Sequence, residues 1–168
     1  MGFIVIVLII SFLCDSIFSN FLAFSLINPS IFKTICTLVS LVSVYPYFNN
    51  NRKYLIIIII FGLLFDIVYS STFLFITFIF VIIYFINKVV DLYLPYNMIN
   101  INIISVLSII LYHLISFFIL NLVNYNTYSL SILLKCIYTS ILGTVLYTTI
   151  LFFILKFFEK KGVLKKVK

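Results

Sequence analysis

Two carboxylates lie inside long apolar stretches of this chain, and they are the first residues whose types could do chemistry. Asp15 and Asp66 each have mostly Ile, Leu, Phe and Val on both sides. An ionisable group in such a stretch is costly, so it normally faces the interior of a helix bundle and has a function there. Gly62, Asp66 and Ser70 are spaced at i, i+4 and i+8, which places them on one helix face. This face is either a packed seam with a satisfied acid or the position of a functional acid.

The single histidine, His113, belongs to a polar stripe on a predicted helix. On a helical wheel, six polar residues fall within about 140° of one another, and they are Asn102, Ser105, Ser108, Tyr112, His113 and Ser116. In lipid such a stripe must face protein, water or a partner. A lone histidine there is more often a hydrogen-bonded packing group than a ligand. An intramembrane enzyme would need Asp66 and His113 within hydrogen-bond reach of each other.

Catalytic, cofactor and metal sites are not predicted. The chain has no phosphate-binding loop, no zinc-protease helix, no C-x-x-C pair and no nucleophile elbow. The spacing of Cys14, Cys36 and Cys136 matches no metal motif. One histidine and four acidic residues leave little for catalysis, so we expect a non-enzymatic protein without a cofactor. The lysine-rich end is interpreted as a contact with lipid headgroups, not with nucleic acid.

Composition places most of the chain in lipid. Of the 168 residues, 65% are hydrophobic and 9% are charged, which is more apolar surface than a soluble domain of this size can bury. Long apolar runs in a membrane form helices, because every backbone polar group must be paired within the segment. We therefore predict an all-α integral membrane protein with one domain over residues 1–168. Its six transmembrane helices are predicted at about 3–27, 31–48, 54–71, 73–90, 98–122 and 132–158, followed by a basic tail at 159–168.

The first run is expected to stay in the protein as a helix, since it lacks the basic start and the cleavage site of a signal peptide. No internal repeat is evident in the sequence. Because tryptophan is absent, tyrosines near predicted helix ends are expected to form the interfacial belt, and the candidates are Tyr45, Tyr47, Tyr54, Tyr93, Tyr96, Tyr125 and Tyr128.

The distribution of lysine and arginine predicts that both termini are cytoplasmic. Six spans put the termini on one side, and nine of the eleven basic residues then lie on that side, which are Arg52, Lys53, Lys88 and six in the last thirteen residues. This asymmetry follows the positive-inside rule.

The two remaining lysines, Lys33 and Lys135, lie at the outer ends of their predicted helices. Asp15 and Asp66 are each about 18 Å from the cytoplasmic helix ends at about 1.5 Å per residue. We expect at least one lysine to reach inward and pair with one acid, since an unpaired buried charge is costly. The alternative is that the lysines extend toward outer headgroups and the acids are protonated.

The last predicted helix carries a face of small and polar residues, formed by Ser140, Gly143, Thr144 and Tyr147 within about 100° on the wheel. Small residues at such a face allow helix backbones to approach each other closely.

The segment 61–88, FGLLFDIVYSSTFLFITFIFVIIYFINK, resembles MreD, the rod-shape-determining membrane protein of bacteria. Gly62, Leu63, Leu64 and Asp66 match the Gly-Leu-Leu-x-Asp stretch of that family. The family often has a Gly-containing turn after the acid, where this chain has Phe73-Leu74. The segment 129–161 is similar to the family's last helix and basic tail, and the length and helix number also agree.

The resemblance implies a multi-pass protein of the bacterial cytoplasmic membrane with no reaction of its own. It would bind the bitopic protein MreC. Together with the actin-like MreB and the wall-building glycosyltransferase and transpeptidase, it would belong to the machinery of cell elongation and shape. The second predicted helix also carries a polar face, formed by Lys33, Cys36, Thr37, Ser40 and Ser43 within about 120° on the wheel. The polar stripes of the second and fifth helices and the small face of the sixth helix would then be docking seams.

The helix architecture would also resemble the six-helix substrate-binding components of vitamin transporters, which supplies the alternative function. Those proteins usually carry an Ala-x-x-x-Ala pattern on the first helix, whereas Ala23 is the only alanine of this chain. A transporter subunit needs polar groups around a midplane cavity, and Asp15, Asp66 and His113 are the candidates. A ligand-sized cavity open to the outside would favour transport, and a sealed interior would favour the scaffold.

Overall fold

The computed structural model describes residues 2–22, 35–70, 74–90, 93–122 and 129–166. Within these ranges the regular elements are helices and no strand occurs, so the prediction of an all-α protein is confirmed. The α-helices are α1 (Gly2–Leu22), α2 (Cys36–Val44), α3 (Asn51–Phe65), α4 (Phe75–Val90), α5 (Met98–Leu122) and α6 (Leu130–Lys160). A short 3-10 turn, Tyr45–Tyr47, follows α2, and a π-helical segment, Asp66–Ser70, continues α3.

Two of the described helices have the length and hydropathy to cross a membrane. They are Met98–Ile119 in α5 and Leu130–Lys160, with mean hydropathies of 2.1 and 2.0. Shorter apolar helical stretches occupy Gly2–Ile17, Cys36–Tyr47 and Phe75–Val90. Many large apolar side chains on the outer helix faces are also exposed, and a water-soluble monomer rarely presents so much contiguous apolar surface. Both observations support a membrane protein.

Helix α2 lies in the centre of the bundle. Each of its residues from Cys36 to Val44 is buried, and the helix contacts α1, α4, α5 and α6. The other helices pack in sequence around it, α3 on α4, α4 on α5 and α5 on α6. A helix that is enclosed on all sides needs partners for its polar side chains within the protein.

Helix α3 begins earlier than the sequence predicts, at Asn51 instead of Tyr54. The side chain of Asn50 accepts a hydrogen bond from the backbone N–H of Arg52 at 2.8 Å. Asparagine is a preferred N-cap because its side chain satisfies an amide that the helix itself leaves unpaired. Asn51, Arg52 and Lys53, which lie between the second and third predicted spans, therefore form the first turn of α3.

Three of the predicted interfacial tyrosines are in the core instead. Tyr45, Tyr47 and Tyr54 are buried, and the Tyr54 hydroxyl donates to the carbonyl oxygen of Leu41 at 2.6 Å. Their rings pack against other aromatic rings, with Tyr45 and Tyr54 centroids 5.0 Å apart. Buried tyrosines need a partner for the hydroxyl, and the Tyr47 hydroxyl finds it in Oε2 of Glu159 at 3.2 Å. Tyr125 and Tyr128 lie outside the described residues.

The C-terminal end of α6 turns back onto the bundle. Gly162 has a φ of +73°, which glycine adopts without steric cost. The N–H of Val163 donates to the carbonyl of Phe158 at 3.1 Å, and that of Gly162 donates to Glu159 at 3.0 Å. These two bonds form the Schellman motif that ends many helices. The following Leu164 is 5% exposed, so part of the predicted tail is packed against the helices.

Candidate functional site

The Asp15 carboxylate binds the first residues of α2 from a neighbouring helix. Its Oδ1 accepts from the backbone N–H of Cys36 at 2.7 Å, and its Oδ2 accepts from that of Thr37 at 2.8 Å. The Thr37 hydroxyl donates to the same Oδ2 at 2.5 Å. The first amides of a helix have no intrahelical partner and carry a partial positive charge. Asp15, which is 4% exposed, therefore acts as the cap that α2 lacks in its own sequence.

The Asp66 carboxylate makes the same three contacts with α4. Its Oδ1 accepts from the backbone N–H of Ile76 at 2.8 Å, and its Oδ2 accepts from that of Thr77 at 3.0 Å. The Thr77 hydroxyl donates to Oδ2 at 2.7 Å. Asp66 is 1% exposed, so the charged form depends on these charge-assisted hydrogen bonds. We call each arrangement of an aspartate with two amides and a threonine hydroxyl an aspartate clamp.

The two clamps are built alike, although the sequence shows no evident repeat. Aligned on their aspartates, segments 8–19 and 59–70 share four residue types, at Ile9/Ile60, Leu13/Leu64, Asp15/Asp66 and Ser19/Ser70. In each case a threonine lies in the first turn of the next helix, Thr37 in α2 and Thr77 in α4. The aspartate and the threonine are 22 residues apart in the first clamp and 11 in the second, so the same contact is reached through connections of different length.

Gly62 lies one helical turn before Asp66 and faces the second clamp. A Cβ atom at this position would be 2.8 Å from the Cα and 3.0 Å from the Oγ1 of Thr77. Only glycine permits such a close approach of α3 to the start of α4. Ser11 has the corresponding position before Asp15, and its hydroxyl lies 2.6 Å from the Oγ of Ser40 on α2. The side chain of Ser70, the third member of the predicted face, is outside the described residues.

A π-helical segment begins at Asp66 itself and runs to Ser70. Such wide turns are rare and frequently occur at functional sites. Within it, the Tyr69 hydroxyl donates to the carbonyl oxygen of Phe12 on α1 at 2.8 Å. The Tyr69 ring packs on Phe12 and Phe65, with centroid distances of 5.2 and 4.5 Å. This aromatic group connects the two clamps through α1 and α3.

Three hydroxyl groups join α1, α2 and α6. The Oγ atoms of Ser11 and Ser40 are 2.6 Å apart, Ser40 is 2.9 Å from the Tyr147 hydroxyl, and Tyr147 donates to Ser11 at 2.8 Å. The Ser11 hydroxyl donates to the carbonyl oxygen of Val7 at 2.7 Å, so within this group it acts as the acceptor of the Tyr147 hydroxyl. We call Ser11, Ser40 and Tyr147 the hydroxyl triangle. It holds the centre of α6 against the first helix pair.

The polar stripe on α5 faces its neighbours in the bundle. Ser105 and Ser108 are fully buried, and the Ser108 hydroxyl lies 3.2 Å from Oδ1 of Asn87 on α4. Asn102 donates from Nδ2 to the Thr149 hydroxyl on α6 at 3.3 Å. Tyr112 and His113 are half-buried, and their rings meet edge to face at 5.5 Å.

The bundle encloses part of each predicted docking seam. The polar residues of α2 are buried, Ser105 and Ser108 are fully buried on α5, and Gly143 belongs to the buried face of α6. Among the described residues the Ser105 hydroxyl has no hydrogen-bond partner, and Tyr112 and His113 are only half-buried. Docking of a partner along α5 therefore stays a prediction.

No lysine of the described residues bonds to Asp15, whose donors are amides and a hydroxyl. Lys135 is exposed on α6, and Lys33 lies outside the described residues. The expectation of a lysine partner overlooked the helix N-terminus as a source of positive potential. Each acid lies in an apolar run, and the helix that follows the run has a threonine in its first turn. This threonine is the sequence signal that indicates the clamps.

Comparison of this chain with models of protein families, with curated proteins and with solved structures found no match. The MreD-like stretch, Gly62, Leu63, Leu64 and Asp66, therefore remains a resemblance of a few residues. In the structure this stretch forms the α3 side of the second clamp.

Proposed function

We propose that the protein is a non-enzymatic scaffold of the bacterial cell-elongation machinery, similar to MreD. In this proposal it spans the cytoplasmic membrane six times, with both termini in the cytoplasm. It binds a bitopic partner of the MreC type and, with it, MreB and the glycosyltransferase and transpeptidase that build the lateral wall.

The second aspartate clamp is the observation that supports this proposal most directly. The residues that resemble the MreD motif, Gly62 and Asp66, join α3 to α4 through the three hydrogen bonds to Asp66 and the close approach at Gly62. An acid that fixes one helix to the next makes a rigid joint. A motif that fixes one helix to the next is expected in a scaffold, because a scaffold must present its binding surface to partners in one conformation.

The use of the interior polar groups also supports a scaffold. The two clamps and the hydroxyl triangle connect helices to each other, and in lipid such bonds hold helices together without a hydrophobic driving force. A solute-binding transporter subunit would instead need a cavity open to the outside. A cleft of about 310 Å³ lies beside the C-terminal segment, at the end predicted to be cytoplasmic.

A photo-crosslinking experiment in membranes tests the proposal. A photoreactive amino acid is placed at outward positions on different helices, Ile67, Ile99 and Leu146, which are all exposed. The buried Ile79 serves as the matched control position. We expect at least one outward position, and not the control, to crosslink to a single-span protein. Capture through this crosslink is expected to bring wall-building enzymes along.

Capture of an ATP-hydrolysing module without wall-building enzymes would overturn the scaffold proposal and favour the transporter subunit. Equal crosslinking from Ile79 and from the outward positions would show that the bundle is open, which contradicts a rigid scaffold. Depletion of the protein in its host should also convert rods to spheres, because lateral wall synthesis sets the rod shape in this proposal.

A further inference from the structure

A cleft of about 310 Å³ lies at one end of the bundle, where the connection before α5, the end of α6 and the C-terminal segment meet. Its walls include Tyr96, Asn97, Phe152, Lys156 and Lys166. The two aromatic rings, Tyr96 and Phe152, pack on each other with centroids 5.6 Å apart. The cleft thus combines an apolar floor with two cationic side chains.

Both lysines are held in place by the aromatic floor. The Lys156 ammonium lies 5.5 Å from the centroid of Phe152, and the Lys166 ammonium lies 4.9 Å from that of Tyr96. Cation–π contacts at these distances favour one position of a side chain that is otherwise mobile. The two ammonium groups therefore border the same cleft from two different parts of the chain.

The backbone also positions Lys166. The Schellman turn at Gly162 reverses the chain, and the buried Leu164 anchors the segment two residues before Lys166. Ordering this segment costs conformational entropy, which the burial of Leu164 offsets in part. A tail that served only as a diffuse positive charge would not need this anchor.

The charge of the cleft suits one anionic group. Glu159 also borders it, and its Oε2 accepts a hydrogen bond from the Tyr47 hydroxyl at 3.2 Å. Two lysines and one glutamate leave a net charge of about +1, which matches the single charge of a phosphodiester. Burial among aromatic residues raises the pKa of the nearby Tyr96 hydroxyl, so this residue stays neutral. Its hydroxyl donates to the carbonyl oxygen of Ser43 at 3.4 Å, which helps to hold the ring in the floor of the cleft.

We propose that this cleft binds the phosphodiester headgroup of an anionic membrane lipid. The lysine ammonium groups contact the phosphate oxygens, as Lys does in many phosphate sites. The aromatic rings contact the glycerol and the first acyl carbons, because aromatic side chains favour the boundary between headgroup and hydrocarbon. The proposal requires that the bundle lie in a membrane, but it does not depend on the scaffold function.

Native mass spectrometry of the full-length protein released from nanodiscs tests this site. The nanodiscs contain phosphatidylcholine with increasing phosphatidylglycerol, and the bound phosphatidylglycerol is counted. The test variant is Lys156→Gln with Lys166→Gln. The matched control is Lys160→Gln with Lys165→Gln, which removes the same charge from two exposed lysines that do not line the cleft.

We expect the wild type and the control variant to retain one phosphatidylglycerol with affinities within about threefold of each other. The test variant is expected to lose affinity by about 30-fold, since each basic residue near an anionic surface contributes about fivefold. A second variant, Lys156→Arg with Lys166→Arg, keeps both charges and should restore binding. This variant also shows that a loss in the glutamine variant is not caused by misfolding.

Equal losses in the test and control variants would overturn the proposal, because diffuse attraction to the whole tail would explain them. Displacement of the lipid by inorganic phosphate at equal concentration would also overturn it, since the ligand would then be a free phosphate. Retention of phosphatidylcholine as strongly as phosphatidylglycerol would contradict a site that selects negative charge.

Discussion

Removal of the Asp66 carboxylate is the sharpest perturbation of this fold. In Asp66→Ala, the N–H groups of Ile76 and Thr77 and the Thr77 hydroxyl lose their shared acceptor in a region that is almost completely buried. Side-chain hydrogen bonds in membranes contribute about 0.6 kcal/mol on average and up to about 1.7 kcal/mol. Each of the three bonds to the Asp66 carboxylate should contribute a free energy near the upper end of this range, because charged acceptors form stronger hydrogen bonds. We expect a loss of about 2–5 kcal/mol in the free energy of unfolding.

Asp66→Asn keeps the shape of the side chain and one oxygen acceptor, so its loss should be smaller, about 1–3 kcal/mol. Asp15→Asn removes the same charge from the first clamp, where the three contacts have nearly the same lengths. It is therefore a matched internal comparison, and the two asparagine variants should lose similar amounts. If the clamps act independently, the double variant should show the sum of the two losses.

The measurement is reversible unfolding in mixed micelles with increasing SDS, followed by circular dichroism and by a fluorophore on α4. A double-mutant cycle with Thr77→Val isolates the contact between the hydroxyl and Oδ2. A free energy of unfolding for Asp66→Ala within 0.5 kcal/mol of the wild type would contradict a structural role of this carboxylate, because substitutions at ordinary surface positions change stability by up to about that amount. A stable variant that fails to bind partners would identify Asp66 as a functional acid instead of a structural one.

Three further variants test neighbouring features by the same unfolding measurement. Gly62→Ala should lower the free energy of unfolding by about 1–3 kcal/mol, because the added Cβ would lie 2.8 Å from the Cα of Thr77. An unchanged stability would show that α3 and α4 are not in close contact. Leu74→Gly should stabilise the protein by about 0.5–1 kcal/mol, since Leu74 has a φ of 64° and its side chain is 46% exposed. A loss of stability would contradict the left-handed conformation at this residue. Tyr147→Phe opens the hydroxyl triangle and should cost about 1 kcal/mol, whereas Tyr138→Phe, at an exposed tyrosine of the same helix, should have no effect.

Leu74 shows how the resemblance and the structure inform each other. The MreD family often has a glycine in the turn after the acid, and this chain has Phe73-Leu74 there. The backbone at Leu74 nevertheless takes the left-handed conformation that glycine favours. Leu74 lies directly before α4 and two residues before Ile76, whose amide donates to Asp66. The three hydrogen bonds of the second clamp therefore lie next to this strained residue and offset its cost.

The sequence predicts that Asp15 and Asp66 face the bundle interior, but it does not predict the hydrogen-bond donors that they bind. The spacing of Gly62 and Asp66 predicts one helix face, and the structure directs both residues toward α4. The expected partner was a lysine, because lysines are the evident cations of the chain. The donors at Asp15 are the unpaired amides at a helix start, which every helix possesses and which no residue type marks.

The apolar runs alone determined that this chain is helical and suited to lipid, because an unpaired backbone in hydrocarbon is too costly for any open structure. Tertiary structure decided which faces meet: it buried the polar residues of α2 inside the bundle, returned the basic tail to an aromatic cleft and placed each acid at the start of the following helix. Periodicity along one helix specifies a face but not its neighbour. The neighbour depends on connections whose lengths differ, and on packing that is settled only when all helices are assembled.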